Sequence, residues 1–295
     1  MTPRTILMGL LFVALWSSAF ATARIIVAHA PPLMALSVRF AIAGLIAVIV
    51  ARLMGQTWRL TRGQARSVIV FGLCQNAAYL GLNFIAMQTI EASLAVIIAA
   101  SMPLIVAALG WAFKGERIAP LGLIGLAAGF IGVALIMETR LSGGADPVGI
   151  ALCILGALAL AVATLTIGGA SSGGNLLMIV GLQMLVGSLA LGLIAAAIEN
   201  AHFSPTPAFW GAFAWQILGP GLAATLIWFW LVGQIGAVRG AAFHFLNPAF
   251  GVIFAVLLLG EKIQAWDMVG IAITMLGIAL VQRARISAIT KPSGA

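Results

Sequence analysis

An apolar run long enough to cross a bilayer occupies residues 92–117, ASLAVIIAASMPLIVAALGWAFKGER, broken at its middle by Pro103 and closed by Gly115-Glu116. The same design returns at residues 240–262, GAAFHFLNPAFGVIFAVLLLGEK. Pro103 and Pro248 are 145 residues apart, and so are Glu116 and Glu261. Two punctuation marks repeated in one order at one offset divide the chain into two copies of a single unit. A working site is expected where the copies meet, near the broken segments.

Composition decides the solvent. Hydrophobic residues make up 63% of the 295 and charged residues 7%, with a mean hydropathy of +1.17. A soluble domain carries about 25% charged residues, so this chain lacks the polar surface to cover a globule in water. It is an all-α integral membrane protein whose partner is the lipid bilayer. The net charge of +8 does not point to nucleic acid, because the basic residues are scattered between apolar spans; such charge sets topology. Cys74 and Cys153 lie inside spans without CxxC or Cys/His spacing, and read as small packing residues. No metal site and no cofactor are expected.

Ten spans follow one another, at about 5–27, 33–54, 66–87, 92–113, 119–138, 148–168, 176–197, 210–234, 239–259 and 264–282. Each approaches the roughly 20 residues a helix needs to cross the hydrocarbon. The first carries a stretch like a signal-cleavage site, but it is long for a signal peptide and is read as retained. Residues 1–140 form the first five-helix repeat, 146–283 the second, and 284–295 a basic disordered tail; the join is TRLSGGADP at 139–147. With the N-terminus inside, cytoplasmic segments hold eleven Lys and Arg residues and external segments three. Both termini are therefore expected in the cytoplasm, and an odd number of helices per half inverts the second copy.

Trp16-Ser17-Ser18, Arg39-Phe40, Pro103 with Gly115-Glu116, and Asn247-Pro248 with Gly260-Glu261 together resemble the EamA branch of the drug/metabolite transporter superfamily. The resemblance covers nearly the whole chain. It implies two inverted five-helix halves, secondary transport across the inner membrane, and net efflux. Within the branch the chain is most similar to the YddG-type exporters of aromatic and other amino acids. The second half departs from the first: Gln183 stands where Arg39 stands in the first, at an offset of 144 residues.

A polar substrate crossing mid-membrane must exchange water for protein contacts. In the third span Gln75, Tyr79 and Asn83 fall at i, i+4 and i+8, on one helical face. They line a cavity, or else form a hydrogen-bonded seam between helices. In the ninth, Phe243, His244 and Asn247 precede Pro248, which in a continuous helix frees the carbonyl of His244. That arrangement suits a binding site or gate, or a kink satisfied by a neighbour. Ser101 and Pro103 are its counterpart, and Pro103 and Pro248 are the expected hinges. Arg39, some six residues inside its span, attracts a carboxylate substrate, anchors a gate, or snorkels to the outer surface. Trp16, Trp228 and Trp230 lie deeper and offer aromatic walls, or else lipid-facing or core packing. Trp228 and Trp230 point to different faces, so at most one easily lines a cavity. Trp58, Trp111, Trp210, Trp215 and Trp266 sit where interfacial belts occur. Gly122, Gly125, Gly129, Gly132, Gly270 and Gly277 read as close-packing faces.

All seven acidic residues fall at or beyond span ends. Proton-driven exporters commonly keep a mid-membrane carboxylate, so the expectation is facilitated diffusion or exchange by alternating access, the two halves rocking about a central cavity. His244 is the residue on which the alternative, proton-coupled drug or metabolite efflux, would turn. A membrane-embedded transferase is the rival of another class. It needs a nucleophile, base or metal cluster at an interface, and His29, His202 and His244 are separated in sequence and depth. The expectation is no enzyme, a small-molecule substrate such as an amino acid, and a monomer or weak homodimer.

Overall fold

A computed structural model describes residues 2–114, 119–167, 173–200, 202–235 and 242–290. Among them no strand occurs, nine helices are long and apolar enough to cross a membrane, and Phe243–Leu259 is a shorter tenth. Helices are forced on such a chain, because in hydrocarbon each backbone N–H and C=O must be satisfied within its own segment. We number them α1 (Pro3–Val27), α2 (Pro32–Leu53), α3 (Arg62–Ala86), α4 (Ala92–Ala100 and Met102–Lys114) and α5 (Pro120–Ser142). The second repeat gives α6 (Pro147–Ile167), α7 (Leu176–Ile198), α8 (Pro207–Ile235), α9 (Phe243–Leu259) and α10 (Ala265–Thr290). Helix α10 continues to Thr290, so residues 284–290, expected in the disordered tail, are helical.

Helix starts are written locally. Pro32 and Pro207 stand in the first turns of α2 and α8, where the missing N–H has no helical partner to lose. Thr61 and Gln64 make a reciprocal capping box at the start of α3. Gly260, at φ +67°, closes α9 in the left-handed conformation that glycine adopts without strain.

Two compact units arise, and each mixes both repeats: one takes the described residues of 1–21, 91–147 and 224–295, the other those of 22–90 and 148–223. In the second unit α2 packs on its repeat mate α7. A Cβ on Gly44 would lie 2.9 Å from the carbonyl oxygen of Gly181, and one on Gly181 would lie 2.9 Å from that of Gly44. Ser37 Oγ donates to the Ser188 carbonyl and Ser188 Oγ to that of Ser37, both at 2.8 Å. In the first unit α5 meets its mate α10. A Cβ on Gly125 would lie 2.7 Å from the Gly277 carbonyl, and one on Gly132 would lie 2.7 Å from that of Gly270. Gly125 and Gly270 are 145 residues apart, as are Gly132 and Gly277, so the repeat operation turns one contact into the other. In both pairs the later residue of one helix meets the earlier residue of its mate. Equivalent helices run antiparallel, and the repeats are inverted.

Side chains at helix ends complete the pairs. The Glu199 carboxylate accepts the N–H groups of Leu33 and Met34 at the start of α2, at 2.7 and 2.9 Å. Gln56 Oε1 accepts that of Met178, 145 residues beyond Leu33, at 2.9 Å. Glu261 does the same for Ala92 and Ser93 at the start of α4, at 2.7 and 3.0 Å. Each answers N–H groups that a helix cannot bond itself.

Candidate functional site: two polar clusters beside broken helices

Helix α9 begins with a 3-10 turn, Ala242–Leu246, and becomes α-helical only at Asn247. Pro248 thus stands in the first turn of a helix instead of inside one. The expected release of the His244 carbonyl by Pro248 is corrected accordingly. Pro103 likewise opens the second segment of α4, after the break at Ser101.

The break in α9 places His244 inside a ring of aromatics. Its imidazole lies 5.2 Å from Phe12, 5.9 Å from Trp16 and 5.2 Å from Trp228, centroid to centroid, edge-on in each case. The Asn247 amide nitrogen is 2.9 Å from His244 Nδ1, and Ser17 Oγ reaches the Asn247 carbonyl oxygen at 3.4 Å. An amide N–H donated to Nδ1 leaves the ring proton on Nε2. Four of the expected residues, Trp16, Trp228, His244 and Asn247, therefore come together within the first unit, joined by Phe12 and Ser17. The Phe243 ring covers Gly9, where a Cβ would meet it at 2.1 Å, and it packs in one cluster with Phe12, Val13 and Leu231, against which Trp16 and Trp228 also lie. Ser101 donates to Ile98 of its own turn at 2.6 Å.

The second unit holds the other cluster, built on a defect in α8. Pro220 has no N–H to give to the carbonyl of Gln216, four residues earlier, and the helix widens there into a π turn, Ile217–Ala223. Arg39 answers from α2, its Nε donating to the Gln216 oxygen at 3.3 Å while its guanidinium lies 4.9 Å from the centroid of the Phe40 ring. The Gln216 side chain donates to Thr22 Oγ1 at 3.0 Å. Arg39 is only 5% exposed, so the snorkelling alternative is excluded.

Helix α3 has a π turn too, Gly72–Tyr79, and Gly72 is 145 residues before Ile217. The wider turn shifts the expected stripe. Gln75 is left half-buried, while Asn76 is buried and donates to the Gln183 carbonyl at 3.0 Å. Tyr79 and Asn83 are buried against α6, Asn83 donating to the Tyr79 carbonyl at 2.8 Å and accepting from Cys153 Sγ at 3.3 Å. For Asn83 the seam reading describes what is seen.

Sequence reasoning missed two features. Gly219-Pro220-Gly221 inside an apolar span is a break signal as strong as Pro103 or Pro248. Arg140 and Asp267, which fall at span ends in the sequence, form a buried pair in the first unit: Arg140 Nε and Nη2 meet the two Asp267 oxygens at 3.2 and 2.8 Å, and Nη1 contacts Glu91. No sequence spacing announces a pair that far apart.

Inverted repeats with broken apolar helices and polar clusters beside the breaks are features found in membrane transporters. The sequence profile of the EamA-like transporter family matches residues 3–138 and again 147–283, and the chain belongs to that family, within the drug/metabolite transporter superfamily. The uncharacterized transporter YvbV of Bacillus subtilis is 26% identical over 291 residues, covering 94% of this chain and 91% of its own. The uncharacterized inner membrane transporter YedA of Escherichia coli K12 is 24% identical over 286 residues, 93% of this chain and 90% of its own. A solved crystal structure superposes with a TM-score of 0.68 at 19% identity, covering 99% of this chain and 100% of that one, a likeness of fold.

Proposed function

We propose that this protein exports aromatic and other neutral amino acids, or closely similar small metabolites, across the cytoplasmic membrane by alternating access. The observation that carries the reading is the His244 cluster: an imidazole and an amide among the rings of Phe12, Trp16 and Trp228, at the start of a broken helix. Aromatic faces suit flat apolar side chains, with stacking worth roughly 0.5–1.5 kcal/mol beyond burial. The inner-membrane location is drawn from YedA's description, and outward direction from family resemblance. The moving bodies we favour are the two compact units, in place of the sequence repeats, with Pro103 and Pro248 at helix starts where bending is easy.

Transport is passive or by exchange in this proposal. Glu91, Glu199, Glu261 and Asp267 are engaged at helix ends by backbone N–H groups or Arg140, which suits structural roles better than proton carriage. The test is uptake of labelled Phe and Thr into liposomes holding the purified protein, with and without a pH gradient, repeated on His244→Ala. Saturable flux that ignores the gradient and drops in the variant is expected. Flux that needs the gradient and vanishes with His244→Ala would replace the mechanism by proton-coupled efflux. Absence of amino-acid flux would sink the substrate assignment.

A further inference from the structure

The Arg39 guanidinium is buried with a full positive charge, yet among the described residues no carboxylate faces it; the ion pairs there are both made by Arg140. Its one hydrogen bond in the described residues is from Nε to the Gln216 carbonyl. The fold does not demand a cation at this junction. Under the 145-residue repeat, Gly221 corresponds to Asn76 and Arg39 to Met184, beside Gln183. At the other junction of π turn and helix, between α3 and α7, the polarity is reversed: the neutral Asn76 amide of the π turn donates to the Gln183 carbonyl of the helix. An amide suffices there, and the bond to Gln216 likewise needs one N–H and no net charge, so that contact does not account for the charge of Arg39.

We propose that Arg39 is the receptor for a carboxylate on the transported molecule, so that the protein takes zwitterionic and anionic carboxylates and rejects organic cations. This rests on the transporter reading above and names its substrate class. Anchoring Nε to the Gln216 oxygen fixes the plane of the fork and commits the side of the guanidinium that does not face the ligand. The two terminal nitrogens then remain to bind both carboxylate oxygens at once, a geometry that lysine does not match. Glycine at 221 keeps the anchor in reach, because a Cβ there would lie 2.7 Å from the Gln216 oxygen and 3.9 Å from Arg39 Nη2. An incoming carboxylate brings the counter-charge that a carbonyl and the Phe40 ring supply only in part.

Binding to the purified, full-length protein is measured for four probes sharing one ring: phenylalanine, 3-phenylpropanoate, phenylalaninamide and phenethylamine. Wild type is expected to bind the two carboxylates and not the two amines. Arg39→Gln is expected to lose the carboxylates by about tenfold or more, while keeping its elution profile and thermal midpoint; Arg39→Lys should retain part of the affinity. Equal binding of phenylalanine and phenylalaninamide by wild type overturns the proposal, as does a folded Arg39→Gln that still binds carboxylates, or wild type that binds no carboxylate. Should Arg39→Gln fail to fold, the wild-type series and Arg39→Lys decide alone. Arg39-dependent binding of 3-phenylpropanoate without phenylalanine would sink the amino-acid reading and leave this one standing. Phenylalanine transport indifferent to Arg39 would do the reverse.

Discussion

Pro220 and Arg39 converge on one atom: the Gln216 carbonyl oxygen, which proline at 220 cannot bond, accepts the Nε–H of Arg39 at 3.3 Å. Replacing Pro220 with Ala restores an ordinary helical donor four residues on. We expect Pro220→Ala to raise the thermal midpoint in detergent and to lower substrate flux in liposomes by roughly tenfold, about 1.4 kcal/mol in the limiting barrier. Unchanged flux would show that the π turn has no part in transport.

Arg140 and Asp267 are bound through two parallel contacts at 3.2 and 2.8 Å, and Asp267 also accepts the Gln264 N–H at 2.9 Å. Asp267→Asn can keep the cap but leaves Arg140 buried without that charge, which costs about 3–5 kcal/mol when a buried pair is broken. Chemical denaturation should report a loss of that order, and Glu91→Gln a smaller one, since the Glu91 side chain is half-exposed. Equal losses would mean that Asp267 is not the principal partner.

The glycine contacts of α5 and α10 predict a symmetry that can be measured. A Cβ at Gly132 would meet backbone, the Gly270 oxygen at 2.7 Å and the Thr274 nitrogen at 2.6 Å; one at Gly277 would meet the Gly129 nitrogen at 2.4 Å. Backbone cannot step aside as a side-chain tip can. Gly132→Ala and Gly277→Ala, exchanged by the repeat, should each destabilise by roughly 1–3 kcal/mol, whereas Gly211→Ala, with open space around it, should be silent in the same melt.

Much of this architecture was legible in advance because it rests on repetition and on apolar length. The 145-residue offset located Pro103, Pro248 and Gly260, and it also relates the two π turns and the α5–α10 glycines. The His244 cluster was partly legible, since His244 and Asn247 share one turn, and Trp16 and Trp228 lie deeper than most of the tryptophans. The misreadings came where helical geometry changes. An α-periodic stripe put Gln75 with Tyr79 and Asn83, but the π turn buries Asn76 in its place. A continuous ninth helix would have been kinked by Pro248, whereas the real helix starts there. The Arg140–Asp267 pair was not legible, because nothing local reports a partner 127 residues away.

Topology gives a further prediction. Basic residues weighted to one side of the spans lead us to expect both termini in the cytoplasm. Alkaline phosphatase fused after Ala295 should be inactive in intact cells, and the same enzyme inserted at the Gly143-Gly144 turn should be active. Activity at the C-terminus would reverse the orientation.

That α2 packs on α7 and α5 on α10 also sets a timetable for making the protein. The glycine face of α5 leaves the ribosome about 145 residues before the α10 face it fits. At about 5–20 residues per second, the first half waits roughly 7–30 s in the membrane with its tightest surfaces unmet. A nascent chain in that interval presents small-residue stripes able to dock onto another copy's second half. Insertion machinery that shields α2 and α5 until α7 and α10 arrive would therefore bear on the yield of this protein.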